Sequence, residues 1–172
     1  PFAKFIRTGL PWVTAKIAQS LDGKIAAPSG ESRWISGAPA RRIGHTLRRE
    51  ADAVVVGINT VLRDDPRLTV RDARRSARAG RPLRIVVDSR LRIPIASQCL
   101  AGDPPAIVAT TSTASASRRR LERRGVTVLT LPAVRGRVPL ARLFKTLASR
   151  YDVMTVLVEG GCMETDHFVP FF

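Results

Sequence analysis

Apolar residues along this chain come in short blocks, separated by polar stretches rich in glycine and proline. Residues 13–17 form a β-prone run after Pro11. Residues 18–36 carry turn chemistry throughout (Asp22-Gly23, Pro28, Ser29-Gly30, Ser36-Gly37), which predicts a long loop. Ser36 is suited to cap a helix over 38–51, with Pro39 tolerated in the first turn and Ile43 and Leu47 on one face. Residues 53–57 are an uninterrupted apolar run, as expected of a strand covered on both faces. One helical turn over 58–63 is broken by Asp64-Asp65-Pro66. Further strands are predicted over 83–87, 106–110, 126–131 and 153–158. Helices are predicted over 115–124, stopped by Gly125, and over 139–150, where Leu140, Leu143, Phe144 and Leu147 share a stripe. Strand-like and loop-like structure is expected from the start of the chain. Residues 71–82 read as a basic loop.

Strands that alternate with helices predict an α/β fold with a mostly parallel central sheet. In such sheets ligands bind beyond the carboxyl ends of the strands. Five segments fall at such ends: 16–33, 57–60, 64–71, 88–90 and 159–161. The Gly160-Gly161 pair lacks the spacing of a dinucleotide or P-loop fingerprint. With 172 residues and no internal repeat or linker, the chain is expected to be one domain.

Composition adds charge to that picture. The chain has 29 Lys and Arg against 14 Asp and Glu, a net charge of +15. Its arginines are scattered, and no RNA- or DNA-binding motif or aromatic platform accompanies them, so no specific nucleic-acid partner is expected. The field would still draw in an anionic small molecule. Cys99 and Cys162 form no CxxC pair, which excludes a disulfide scaffold and points to a reducing, cytoplasmic setting. No apolar run is long enough for a membrane helix, and Pro11 and Lys16 interrupt any signal-peptide core. Cys162, Glu164, Asp166 and His167 match no metal-site spacing, so no metal is expected. His45 reads as a surface or boundary residue.

Four blocks carry a family resemblance: AKIAQSLDGKIAAPSGESRWISG over 15–37, ADAVVVGINTVLRDDPRLTVR over 51–71, PLRIVVDSRLRIP over 82–94, and VLVEGG over 156–161. In order and spacing they resemble the reductase domain of riboflavin biosynthesis, the C-terminal half of the RibD deaminase–reductases. The resemblance implies a dihydrofolate-reductase-like three-layer fold. It also implies NADPH-dependent reduction of the ribosyl chain of 5-amino-6-(5-phosphoribosylamino)uracil to the ribitylamino product. A related substrate is the diaminopyrimidinone that has not been deaminated. A homodimer is implied as well.

Such a reaction delivers hydride to a carbonyl or imine carbon, and the developing oxyanion or amine needs a proton or a cationic neighbour. Lys16, at a strand end, suits that task, although a surface ammonium would look the same. Asp64 is the second acid–base candidate, with a turn carboxylate before Pro66 as the plainer alternative. By position, the resemblance implies substrate contacts at Ser32, Arg48, Leu68, Arg71 and Glu159. Arg48 and Arg71 suit a phosphate, since guanidinium binds phosphate at two points; a solvated helix arginine is the alternative for Arg48. The alternative for Glu159 is a strand-end carboxylate paired with a nearby arginine. Cofactor contacts are implied at Ala18, Trp34, Thr60, Asp64, Ser89 and Gly161. Trp34 fits ring stacking or a core anchor equally. Ser89, with Arg90 beside it, is the candidate for the 2′-phosphate.

Two departures from the family shape the expectation. No zinc-deaminase motif is present, so the chain alone is not expected to deaminate. The recognisable blocks stop at Gly161, where the family continues with a helix and further strands. A single domain over 1–172 is therefore expected, truncated, with an atypical tail over 162–172 and the C-terminal strands missing. Besides the reductase, two other readings stand: an inactive remnant of that enzyme, and a basic protein that binds nucleic acid.

Overall fold

The structure, a computed structural model, describes residues 1–28, 35–70 and 81–160. In chain order the elements are α1 (Phe2–Thr8), β1 (Trp12–Lys16), α2 (Ala38–Glu50), β2 (Ala53–Gly57), α3 (Ile58–Asp64), β3 (Leu83–Val87), a 3-10 turn (Gln98–Leu100), β4 (Ile107–Thr110), α4 (Ser115–Glu122), β5 (Thr127–Thr130), α5 (Leu140–Tyr151) and β6 (Thr155–Glu159). The strands form one sheet in the order β1-β6-β2-β3-β4-β5. Every neighbouring pair runs parallel, so all carboxyl ends lie along one edge. Strand β6 inserts between β1 and β2.

The two faces of the sheet follow the period-two alternation of strand side chains. Val13, Val55, Ile85, Ile107, Val156 and Val158 face one way and pack on Leu140, Leu143, Phe144 and Leu147 of α5. Val54, Val56, Val86, Val108 and Leu157 face the other way, against Ile58 and Val61 of α3 and Leu121 of α4, with Leu47 of α2 packed on this cluster. The result is three layers, helix on sheet on helix. Residues 53–56 of β2 are fully buried, as their unbroken apolar run requires.

Polar ties fix the register. The Asp52 carboxylate accepts the N–H groups of Met154 (3.0 Å) and Thr155 (2.8 Å) and the Thr155 hydroxyl (2.9 Å). This clamp aligns β2 with β6 so that Val56 pairs with Glu159, while β1 aligns Lys16 with the same Glu159. Arg84, in the apolar run of β3, is buried, and its guanidinium donates to the carbonyls of Ala101, Gly102 and Pro104. These bonds offset the cost of burying its charge.

Three local expectations need correction. Residues 2–8 are helical rather than strand-like, and Gly9 ends the helix in the left-handed region at φ 64°. Phe2, Phe5 and Ile6 have helical spacing, but α1 buries no residue, and an element that short carries little periodic signal. Gly37, not Ser36, is the N-cap of α2, with no side-chain capping bond. The predicted strand over 153–158 begins at Thr155 and runs through Glu159. No helix among the described residues is long and apolar enough to cross a membrane.

Candidate active site

At the carboxyl ends of β1, β6 and β2, between α2 and α3, lies a cleft of about 800 Å³. That volume is within the range of small-molecule and cofactor sites. The strand ends supply Lys16, Val56, Glu159 and Gly160. From α2 come Arg41, Gly44, His45 and Arg48, at positions i, i+3, i+4 and i+7 and therefore on one helix face. Residues Asn59, Thr60, Arg63 and Asp64 come from α3, followed by Pro66 and Leu68; Ala18 and Ile25 come from the segment after β1. Four Lys and Arg side chains against two carboxylates line the cleft, a field suited to a phosphate-bearing ligand.

Arg48 and Glu159 meet here. The Arg48 Nε–H and Nη2–H donate to the two Glu159 carboxylate oxygens at 2.7 and 2.6 Å, and Nη1–H donates to the Thr69 carbonyl at 3.2 Å. Both side chains are largely buried, 19% and 10% exposed. The plainer alternative for Glu159, pairing with an arginine, is what this structure contains. Its partner is the other residue carried over as a substrate contact.

Lys16 is half-buried, and its ammonium has no hydrogen-bond or ion-pair partner among the described residues. The same holds for the Asp64 carboxylate. Both line the cleft. Gly160 sits at φ +125°, and a Cβ there would come within 2.5 Å of the Thr60 hydroxyl. Only glycine lets the turn after β6 pass so close to α3.

The cleft thus collects Lys16, Ala18, Arg48, Thr60, Asp64, Leu68 and Glu159 from the predicted set. Ser89 stands apart from it, at the end of β3. Its hydroxyl accepts the Val138 N–H at 3.1 Å, and its carbonyl accepts the Thr111 hydroxyl at 2.9 Å. Ser32, Trp34, Arg71 and Gly161 lie outside the described residues, as do Cys162, Glu164, Asp166 and His167. Among the described residues no group of His, Cys, Asp or Glu could hold a metal ion.

Sequence reasoning missed His45, Arg63 and Asn59. His45 lines the cleft rather than the outer surface. Its spacing from Arg41 and Arg48 was the available signal. Arg63 and Asn59 are four apart on α3, and the Arg92 guanidinium donates to the Asn59 side-chain oxygen at 2.9 Å. In an Arg-rich chain nothing local marks these residues out.

The donor set fits a dinucleotide cofactor. The cleft has the size, the excess of cations, and a close backbone approach at Gly160 against Thr60.

The pattern of the RibD C-terminal domain matches residues 11–169. The riboflavin biosynthesis protein RibD of Aquifex aeolicus is 37% identical over 160 residues, which cover 93% of this chain and 43% of that protein. The 2,5-diamino-6-ribosylamino-4(3H)-pyrimidinone 5′-phosphate reductase of Archaeoglobus fulgidus is 40% identical over 159 residues, covering 88% of this chain and 70% of that one. A solved structure of RibD from Acinetobacter baumannii superposes with a TM-score of 0.84 at 34% identity, covering 98% of this chain and 45% of that chain. The chain spans less than half the length of the RibD proteins it matches.

Proposed function

Because this chain belongs to the RibD C-terminal domain family, we propose that it is a single reductase domain of riboflavin biosynthesis. It reduces the opened ribosyl chain of 5-amino-6-(5-phosphoribosylamino)uracil with NADPH. The observation that carries this reading is the cleft itself, lined by Asp64, by the Arg48–Glu159 pair and by Lys16, whose ammonium has no partner among the described residues and whose strand position aligns with Glu159.

NADPH, when bound, supplies the hydride. Ala18, Thr60 and Asp64 line the cleft and would hold it there; Trp34 and Gly161 are proposed as further cofactor contacts. Ser89 and Arg90, beyond the cleft, would meet its 2′-phosphate. The chain's own work is to hold the substrate and manage one proton. Lys16 donates that proton to the nitrogen or oxygen of the reacting double bond as negative charge develops there. Asp64 orients the reacting groups and serves as the second acid–base residue. Ser32, Leu68 and Arg71 hold the substrate with Arg48 and Glu159. In this role Glu159 accepts hydrogen bonds from sugar or uracil groups, and the Arg48 N–H groups not used by Glu159 and Thr69 point to the phosphate. The setting is cytoplasmic and the assembly a homodimer, which sedimentation equilibrium tests.

The name of the Archaeoglobus relative gives the diaminopyrimidinone form as a second substrate. Parallel assays with the two pyrimidines, following NADPH oxidation, decide between them. Lys16→Met is expected to lower kcat by about 10²-fold or more, the usual worth of a general acid. Thermal unfolding with NADPH, NADH and heparin supplies a check without turnover. A rise with NADPH alone supports the proposal. No turnover of either pyrimidine and no NADPH-specific rise would defeat it in favour of an inactive remnant.

A further inference from the structure

The segment after α3 alternates. Asp64, Pro66 and Leu68 line the cleft, while Asp65 and Arg67 grip Gln98 in the 3-10 turn that precedes β4. The Asp65 Oδ1 accepts the Gln98 backbone N–H at 2.8 Å. Its Oδ2 and its backbone carbonyl accept the Gln98 side-chain amide at 3.0 and 3.1 Å. The Gln98 Oε1 in turn accepts the Arg67 Nε–H at 2.7 Å, so every polar atom of the Gln98 amide is used and its orientation is set. Two non-glycine residues here have left-handed backbone, Asp65 at φ 38° and Leu68 at φ 55°. Leu68 is also buried, 1% exposed. Such conformations persist where surrounding structure over-determines them, and they gather at ligand sites.

We propose that Asp65 and Gln98 are positioning residues: they latch the strained 64–68 segment so that Asp64 and Leu68 present a fixed wall to the ligand. This rests on the cleft being the cofactor and substrate site. Arg48 holds the chain just beyond this segment through the Thr69 carbonyl. The latch holds the segment itself, without touching the ligand.

The full chain is tested by two readouts. Hydrogen exchange of the peptide over 61–70 follows the latch directly. The NADPH dissociation constant follows its effect on the cleft. Asp65→Asn sets one amide against another. Flipping Gln98 would only move the mismatch to the Asp65 carbonyl and to Arg67. Exchange is expected to quicken about five- to tenfold, as for the loss of one ordinary exposed hydrogen bond. The dissociation constant is expected to rise about three- to tenfold, while the thermal midpoint shifts by no more than a few degrees. Gln98→Leu should do the same from the other side. The double variant should be no worse than Gln98→Leu alone, because the bond between the Asp65 and Gln98 side chains is lost in both singles. Unchanged exchange in both singles, or fully additive effects in the double, overturns the latch. So does faster exchange with an unaltered dissociation constant. A wild-type chain that fails to bind NADPH overturns the reading of the cleft, and the positioning role with it. In that case a response in exchange leaves a purely structural clamp.

Discussion

Arg48 and Glu159, 111 positions apart, form a two-point ion pair at the end of β6, with both N–H···O distances under 2.8 Å. The guanidinium fork matches the carboxylate in plane and spacing, so the pair is more specific than a point contact. It also limits what each residue can offer a ligand, since three Arg48 N–H groups are already in use.

Removing either partner strands the other charge in a largely buried place. Arg48→Met and Glu159→Gln are each expected to cost about 2–4 kcal/mol, and the double variant less than their sum. Urea unfolding of the four proteins measures the coupling. Additive costs would mean that the two side chains act independently.

The Gly160–Thr60 approach predicts two separable penalties. Gly160→Ala places a Cβ 2.5 Å from the Thr60 hydroxyl and also forces alanine to φ +125°. The loss is expected to be about 3 kcal/mol or more. Adding Thr60→Ala removes the collision and leaves the backbone strain, so the double variant should recover only part of the loss. Full recovery would show that the backbone relaxes away from its present angle.

Asp88 gives the stability a pH dependence. Burial pushes its carboxyl above the ordinary aspartate value, against the opposing bonds from the Ile93 N–H (2.8 Å) and Arg90 N–H (3.3 Å). The fold therefore binds this proton more tightly than the unfolded chain does. The associated stability is complete below the unfolded pKa of about 3.9 and is lost as pH rises through the raised folded value. Asp88→Asn has no such proton. The stability gap between the two proteins, followed by urea unfolding from neutral pH down to about pH 4, should move in favour of the wild type on acidification. A gap that stays constant would contradict the assignment.

Cys99 is a buried free thiol whose pKa is pushed up to about 11, mainly by burial, with the Asp65 charge adding and Arg84 opposing. At pH 8 only about one molecule in a thousand carries the thiolate, the form that reacts. In a Cys162→Ser background the native chain should resist alkylation for hours and react at once in urea. Prompt reaction without denaturant would show that the 3-10 turn opens readily.

The elements themselves were legible because their causes are local. The unbroken apolar run of 53–57 and the run of 83–87 gave β2 and β3 with their observed bounds. The stripe of Leu140, Leu143, Phe144 and Leu147 gave α5 its buried face. Alternation of these elements was enough for a parallel sheet, and hence for placing ligand chemistry at the carboxyl ends. The family resemblance named candidate residues one at a time, seven of which lie together in the cleft.

What they do to one another was decided only by the fold. Strand β6 enters between β1 and β2, and no local pattern encodes that insertion. Glu159 consequently lies beside both Lys16 and Val56, within reach of an arginine from α2. Arg84 puts a charge inside an apolar strand, and the three carbonyls that satisfy it come from residues 101–104, which only the fold brings there. The two aspartates of Asp64-Asp65 look alike in sequence, yet one faces the cleft and the other holds Gln98. Hydrophobic periodicity reports which way a side chain points relative to its own element. Polar pairing depends on which remote element arrives opposite, and strand order and register alone determine that.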